Sequence, residues 1–246
     1  MTPARCFIHP AGWDQPRIEL NQDDAHHLLH VLRRAPGDAV ELFNGQGGLA
    51  EATIEAADRG NVTVAIHRRR QLQRPAPLIT LVQALPREQK LDFILQKATE
   101  LGVARVLPIL TENAVVKIKA DRADDKKTRW EKISLNAARQ CGSAWLPELE
   151  PARNLTTLLA GGLSSDLFIV CALTPEAKPL KDLLRGRSAA PASVAVLVGP
   201  EGDFSPSELQ AILAAGALPA GLGSTVLRSE TAAVYAIGAL RYEFGL

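Results

Sequence analysis

Near its C-terminal end the chain twice breaks an apolar run at glycine and then opens a helix. The two stretches are Leu197-Val198-Gly199-Pro200-Glu201-Gly202-Asp203-Phe204 and Leu222-Gly223-Ser224-Thr225-Val226-Leu227-Arg228-Ser229-Glu230-Thr231. Strand-to-helix breaks of this kind require a sheet covered by helices. They also set two loops at the carboxyl ends of strands, where open α/β sheets hold ligands. The glycines bare backbone N–H and C=O groups in both loops, so one pocket lined by both is expected.

The rest of the C-terminal part agrees with such a sheet. Leu78–Ala84 is nearly continuous in apolar residues, as in a parallel strand buried on both faces. In 86–101, Leu91, Ile94, Leu95, Ala98 and Leu101 recur at helical spacing, and Gly102 stops the helix. Strands are expected at 103–110, 166–173 and 193–198, and a longer helix at 124–141 with Trp130, Ile133, Ala137 and Cys141 on one stripe. Ser205-Pro206-Ser207-Glu208 has the N-cap serine, first-turn proline and glutamate of a capping box. A last helix is expected over 228–243.

Residues 38–67 instead predict short strands at 40–43, 52–55 and 62–66, with Asn44-Gly45 and Gly60-Asn61 as turns. A short helix over 23–32 precedes them and closes before Pro36-Gly37. The stretch Arg68-Arg69-Arg70-Gln71-Leu72-Gln73-Arg74-Pro75 loses periodicity and reads as a linker. Two domains are expected, 1–73 and 74–246: a β-rich module followed by an open α/β domain.

With a net charge of +1, no overall field draws the chain to nucleic acid, and any such contact must come from local basic clusters. Those clusters are Arg33-Arg34, Arg68-Arg69-Arg70 and 117–129, which as bare charge patterns read more often as solvated faces than as phosphate contacts. The three cysteines form no CxxC spacing, and His26 and His30 lack a third ligand, so neither a disulfide framework nor a metal site is expected. No apolar stretch is long enough for a bilayer, and no apolar signal core opens the sequence, which reads as cytoplasmic. Gly45-Gln46-Gly47-Gly48-Leu49-Ala50 matches a dinucleotide fingerprint, but the residues after it read as a hairpin rather than the helix that fingerprint needs.

Taken alone, Gly199-Pro200-Glu201-Gly202 is a turn, and Ser229 or Thr231 is a helix cap. In combination the two loops resemble the S-adenosylmethionine site of knotted SPOUT-class RNA methyltransferases, and within them the ribosomal RNA small subunit methyltransferase E family. The similarity extends to Arg5-Cys6-Phe7-Ile8-His9-Pro10, to His27–Arg33 before Pro36-Gly37-Asp38, and to Gln83-Ala84-Leu85-Pro86 leading to Lys90. It continues through Gln96-Lys97-Ala98-Thr99-Glu100-Leu101-Gly102-Val103, Trp130-Glu131-Lys132-Ile133 and Ala138-Arg139-Gln140-Cys141-Gly142.

The resemblance implies an α/β protein with an N-terminal PUA-like β-barrel for RNA and a C-terminal SPOUT domain tied in a deep trefoil knot. It implies a homodimer, S-adenosylmethionine as cofactor, 16S rRNA of the small ribosomal subunit as partner, and methylation of N3 of one uridine. Cofactor contacts are then expected at Leu173 and Thr174. The first loop adds Leu197, Val198, Gly199, Pro200, Glu201 and Gly202. The second adds Leu222, Gly223, Val226 and Leu227, and the helix start Arg228, Ser229, Thr231 and Ala232. RNA contacts are expected at Arg33, Arg34, Arg68, Arg69 and Lys90.

Uracil N3 is a poor nucleophile while protonated, so a site must take its proton or steady the anion. The candidates are Glu230, to orient or deprotonate N3, and Arg5, which the resemblance would bring toward a partner's pocket to steady negative charge. A structural ion pair is the competing reading for both. At the level of the whole protein, the competing reading is an RNA-binding protein with a vestigial catalytic domain. Three residues depart from the family pattern: Asp203 stands where a second glycine is usual, Ser143 where an arginine is usual, and Ser224 where a proline is usual.

Overall fold

A computed structural model describes residues 3–58, 60–114 and 123–245. The chain divides into two compact units, Met1–Arg74 with Ala138–Leu146, and Pro75–Ala137 with Pro147–Leu246.

The first unit is a five-stranded sheet of β1 (Ala4–Phe7), β2 (Arg17–Glu19), β3 (Ala39–Phe43), β4 (Gly48–Asp58) and β5 (Asn61–Gln71), ordered β1-β3-β4-β5-β2. The β1–β3 pair is parallel and the others antiparallel. Ala4 and Cys6 from one edge strand and Ile18 from the other share one core with Val40, Leu42, Ile54 and Val64, so the sheet rolls around that core. Register shifts in the β4–β5 ladder, after Glu51 and after Ile54, supply the bend. The predicted helix at 23–32 is α1 (Gln22–His26) continued by a π-helical turn over His27–Val31.

Two expectations for this unit are corrected. The fingerprint at Gly45–Ala50 lies in the β3–β4 hairpin, where Asn44 Oδ1 accepts from the Gln46 and Gly48 N–H groups and no helix follows. The arginine run is strand, not linker: Arg68, Arg69 and Arg70 extend β5 and pair with Glu51, Ala50 and Leu49. Their charges face solvent, which is why the apolar alternation ends before the strand does.

The second unit holds an all-parallel sheet of β6 (Leu78–Ala84), β7 (Arg105–Leu110), β8 (Glu148–Leu149), β9 (Arg153–Asn154), β10 (Leu167–Cys171), β11 (Lys178–Pro179), β12 (Ser193–Val198) and β13 (Leu218–Gly221). The order is β11-β13-β10-β12-β6-β7-β8, with β9 also on β7. Helices cover both faces. Ile79, Leu81 and Val196 pack with α2 (Glu88–Glu100), α5 (Leu180–Arg185), α7 (Ser229–Phe244) and Trp130 of α3 (Ala123–Cys141). Val82, Ala84 and Leu197 pack with α4 (Leu155–Gly161) and α6 (Pro206–Ala214). Neighbouring β6 residues thus enter opposite cores, which is why that strand reads as continuously apolar. Gly102, at φ +69°, closes α2 through the Val103 N–H to Ala98 C=O bond. The α6 capping box is made in both directions, Glu208 N–H to Ser205 Oγ and Ser205 N–H to Glu208 Oε2.

Candidate functional site

Three adjacent strands, β13, β10 and β12, end at one side of the parallel sheet, and the chain beyond them surrounds a cleft of about 260 Å³. After β10 come Ala172 and Leu173, after β12 come Gly199, Pro200 and Glu201, and after β13 come Leu222, Gly223, Val226, Leu227 and Arg228. Ser229 and Ala232 close it from the first turn of α7. The two glycine-broken loops therefore meet in one place.

Twelve of the sixteen expected lining residues border this cleft: Leu173, Val198, Gly199, Pro200, Glu201, Leu222, Gly223, Val226, Leu227, Arg228, Ser229 and Ala232. Four do not. Leu197 is fully buried in the core beneath, because strand alternation turns it to the α4–α6 face. Thr231 is exposed on α7, Thr174 is half-buried and does not border the cleft, and Gly202 packs toward Asn113, to whose Cβ an added methyl would come within 3.2 Å. Cys171, Ala172, Asp203, Ala220 and Thr225 line the cleft without having been expected among the cofactor contacts. Cys171 and Ala220 were legible in principle as the ends of the strands flanking the two loops.

The base of the cleft is held by a hydrogen-bond relay. Ser229 Oγ donates to the Gly199 carbonyl at 2.6 Å and accepts from Gln83 Nε2 at 3.0 Å, while that amide also donates to the Ala84 carbonyl. Ser229 thus ties the second loop to the first instead of capping its own helix, whose N-cap residue, Arg228, makes no side-chain cap bond. Gln83 is wholly buried at the end of β6, and its role was missed because one amide in an apolar strand carries no periodic signal.

Above the relay stands an ionic cluster. Lys90 Nζ, from the first turn of α2, lies 2.9 Å from Glu201 Oε1 and 3.2 Å from Glu230 Oε2. The hydrogen bond to Glu201 holds the Lys90 ammonium above its ordinary range. Burial pushes the Glu201 carboxyl up, but the Lys90 hydrogen bond and charge together with main-chain N–H groups outweigh it and hold it low. Glu230 therefore sits beside the cleft rather than lining it, with Oε2 buried.

Backbone conformation separates the loop residues. Gly223 has φ +138°, in the region that favours glycine, and an added methyl there meets nothing within 4 Å. At Gly199 the same methyl would come within 3.1 Å of the Phe204 ring, so that glycine serves packing. Asp203 takes φ +57°, a conformation aspartate tolerates better than most residues, and its Oδ1 accepts from the Phe204 N–H at 2.8 Å. That bond lets Asp203 stand where the family pattern has glycine.

Arg5 is engaged within the first unit. Its Nε pairs with Glu41 at 2.7 Å, and its two terminal nitrogens donate to the Ala138 and Ser143 carbonyls at 2.9 and 3.2 Å. The guanidinium also lies 4.7 Å from the centre of the Phe43 ring, and the side chain is only 8% exposed. Three of its five N–H donors are used in these bonds. Ser143 shapes the same segment, its Oγ donating to the Trp145 carbonyl and accepting from the Trp145 N–H.

The basic candidates fall in different settings. Arg33 is exposed at φ +52° just after the π-helical turn, and Arg34 is half-buried beside it. Arg68 and Arg69 are exposed on β5, Arg69 donating to the Trp13 and Gln15 carbonyls. Lys90 is engaged by carboxylates, and residues 117–122 of the third basic stretch lie outside the described residues. The rings of His26 and His30 lie 4.7 Å apart, tilted by 43°, and no helix among the described residues is long and apolar enough to cross a membrane.

The family described as RNA methyltransferase domain matches residues 73–241, and the RNA methyltransferase PUA domain matches residues 20–66. A ribosomal RNA small subunit methyltransferase E from Mycobacterium bovis is 32% identical over 219 residues, covering 89% of this chain and 83% of its own. A methyltransferase from Legionella pneumophila, solved with the cofactor SAM, superposes with a TM-score of 0.88 at 32% identity over 98% of both chains. The small subunit methyltransferase E of Neisseria gonorrhoeae, bound to S-adenosyl methionine, gives 0.86 at 27% identity, again over 98% of both chains. With both sequence profiles, the relative and the fold in agreement, the chain belongs to the ribosomal RNA small subunit methyltransferase E family.

Proposed function

We propose that this chain is an S-adenosylmethionine-dependent methyltransferase that modifies N3 of one uridine in 16S rRNA. The observation that carries the reading is the cleft at the ends of β10, β12 and β13, into which both glycine-broken loops converge. Its chemistry fits the cofactor. Ala172, Leu173, Val226 and Leu227 offer apolar walls for a purine and the chain flanking the sulfonium, and Glu201 and Asp203 place negative charge on the rim for the ligand's ammonium and sulfonium. Among the described residues, the N–H groups of Leu222, Gly223, Val226 and Leu227 make no backbone hydrogen bond and are free for ring nitrogens and hydroxyls.

When bound, the cofactor supplies an electrophilic methyl group on a sulfonium. The protein must hold the uracil in line with that methyl and deal with the N3 proton. Glu230, in the first turn of α7 where negative charge is favoured, is the group proposed to orient N3 and take its proton. The β-rich unit supplies RNA contacts, with Arg33, Arg34, Arg68 and Arg69 as the proposed phosphate partners. Tyr235 and Tyr242 are exposed on α7 outside the cleft, which supports burial against a second copy and hence a homodimer. The reading also carries a trefoil knot in this unit, supported by the return of α7 from the 222–228 loop onto β6, β12 and α2, and a cytoplasmic location, where ribosomal RNA is met.

Mass-spectrometric mapping of 16S rRNA from cells with and without the protein tests the reading. One uridine should lose an N3-methyl group in the deletion and regain it when the purified protein acts on the deficient subunit. A methyl group at another base or atom overturns the assignment.

A further inference from the structure

The segment from Gln83 to Lys90, between the end of β6 and the first turn of α2, belongs to neither cofactor loop yet ties the two together twice. At the base the tie is neutral and buried, through Gln83 and Ser229 to the Gly199 carbonyl. At the rim it is ionic and part-exposed: the Lys90 side chain is 27% exposed, Glu201 28% and Glu230 17%. Two carboxylates in contact with one ammonium are close enough to repel each other when that ammonium is removed.

We propose that Lys90 is a positioning residue for methyl transfer, a bridge that holds Glu201 of the first loop and Glu230 of the second in one fixed arrangement at the edge of the cleft. The proposal rests on the reading that Glu230 handles the uridine. Charge and geometry separate it from the alternative in which Lys90 contacts a phosphate. A lysine already neutralised by two carboxylates adds to phosphate affinity only by leaving them, whereas Arg33, Arg68 and Arg69 stand exposed.

The position of the bridge also explains why lysine suits it. The carboxylates approach from a loop after β12 and from the start of α7, and a compact ammonium with three donors reaches both without a planar fork. Without it, like-charge repulsion turns Glu230 away from Glu201 and toward solvent, and the proton acceptor leaves its alignment. The backbone of the cofactor cleft remains held by the Gln83–Ser229 relay beneath. Loss of Lys90 therefore acts on the transfer step rather than on cofactor binding.

The test compares Lys90→Met, Lys90→Arg and Glu230→Gln. The readouts are S-adenosylmethionine affinity by calorimetry, affinity for unmethylated small subunits across a salt series, and the single-turnover rate with both substrates saturating. For Lys90→Met we expect a rate loss of roughly 10- to 100-fold, cofactor affinity within about threefold of wild type, and an unchanged salt slope for RNA binding. Lys90→Arg should recover most of the rate. A salt slope reduced by about one, with a normal rate at saturating RNA, makes Lys90 a phosphate contact and overturns the proposal. Equal loss of cofactor binding and rate makes it a general brace for the fold and also overturns it. Glu230→Gln separates the underlying reading: a full rate there removes the role of Glu230, whereas a slow Glu230→Gln beside a fast Lys90→Met overturns the bridge alone.

Discussion

Replacing Ser229 by alanine removes one hydroxyl and strands two buried partners. Ser229 is 5% exposed and Gln83 fully buried. The Gly199 carbonyl, on a buried residue, loses the donor at 2.6 Å, and Gln83 Nε2 loses its 3.0 Å acceptor. Each buried group left unmet costs about 1–3 kcal/mol. Because Gln83 Nε2 still donates to the Ala84 carbonyl, the carbonyl of Gly199 dominates. A total of about 2–3 kcal/mol follows, or roughly 30- to 140-fold in the folding equilibrium of the second unit. Urea denaturation followed by circular dichroism, with amide exchange read at Gly199 and 201–203, measures both the loss and its location. The same variant should bind S-adenosylmethionine more weakly, because the first loop loses its anchor. In a double-mutant cycle with Gln83→Leu, the two losses should fall short of additivity by more than about 0.5 kcal/mol. Stability within about 0.5 kcal/mol of wild type, or simple additivity, would refute the relay.

Arg5→Ala should cost about 3–5 kcal/mol, since Glu41 and two carbonyls lose a buried cation, while S-adenosylmethionine binding persists. Full stability with abolished methyl transfer would instead support a catalytic role for Arg5. Gly223→Val should fold normally, its surroundings being open, yet weaken cofactor binding by at least about tenfold, because valine resists φ +138° and distorts the loop. Unchanged calorimetry sinks that argument. Burial raises the Asp24 carboxyl above its ordinary 3.8, a shift that Arg139 at 2.7 Å opposes without cancelling. Folded protein then holds the proton more tightly than unfolded chain. The resulting stability is complete below pH 3.8 and lost as pH rises through the folded value. Measured against Asp24→Asn, wild type should lose stability on leaving that acid range and then level off; the opposite slope refutes the sign.

What could be read in advance was what the chain encodes locally. The α6 start needs four consecutive residues, and Ser205 through Glu208 supply them all. Buried parallel strands such as β6 and β12 announce themselves because both faces are dry. The two loops were legible because glycine interrupts apolar runs at Gly199 and Gly223. Distance along the chain defeated the rest. Gln83 is explained only by Ser229, 146 positions later, and Arg5 by carbonyls 133 and 138 positions away. Strand β13 contains Pro219 and ends at Gly221, residues that argue against a strand unless its neighbours β10 and β11 are known. The arginines of β5 hid a ladder that backbone groups alone sustain.

Residues 138–146 belong to the first unit although 63 residues separate them from Arg74. They accept a hydrogen bond from the Gly47 N–H at the Ala144 carbonyl, donate one from Leu146 to Gly45, and set Trp145 against Gly47, where an added methyl would come within 2.3 Å of its ring. A protein made from its N-terminus meets this arrangement as a delay. The five strands are all synthesised by Gln71, but the piece that seals their hairpin arrives only with Leu146. At ribosomal speeds of roughly 5–20 residues per second, the interval is about 4–15 s. Throughout it, the tip of the β3–β4 hairpin stays uncovered and Arg5 lacks two of its acceptors. A chain ending at Arg74 would keep that hairpin tip uncovered, since it lacks Ala144, Trp145 and Leu146.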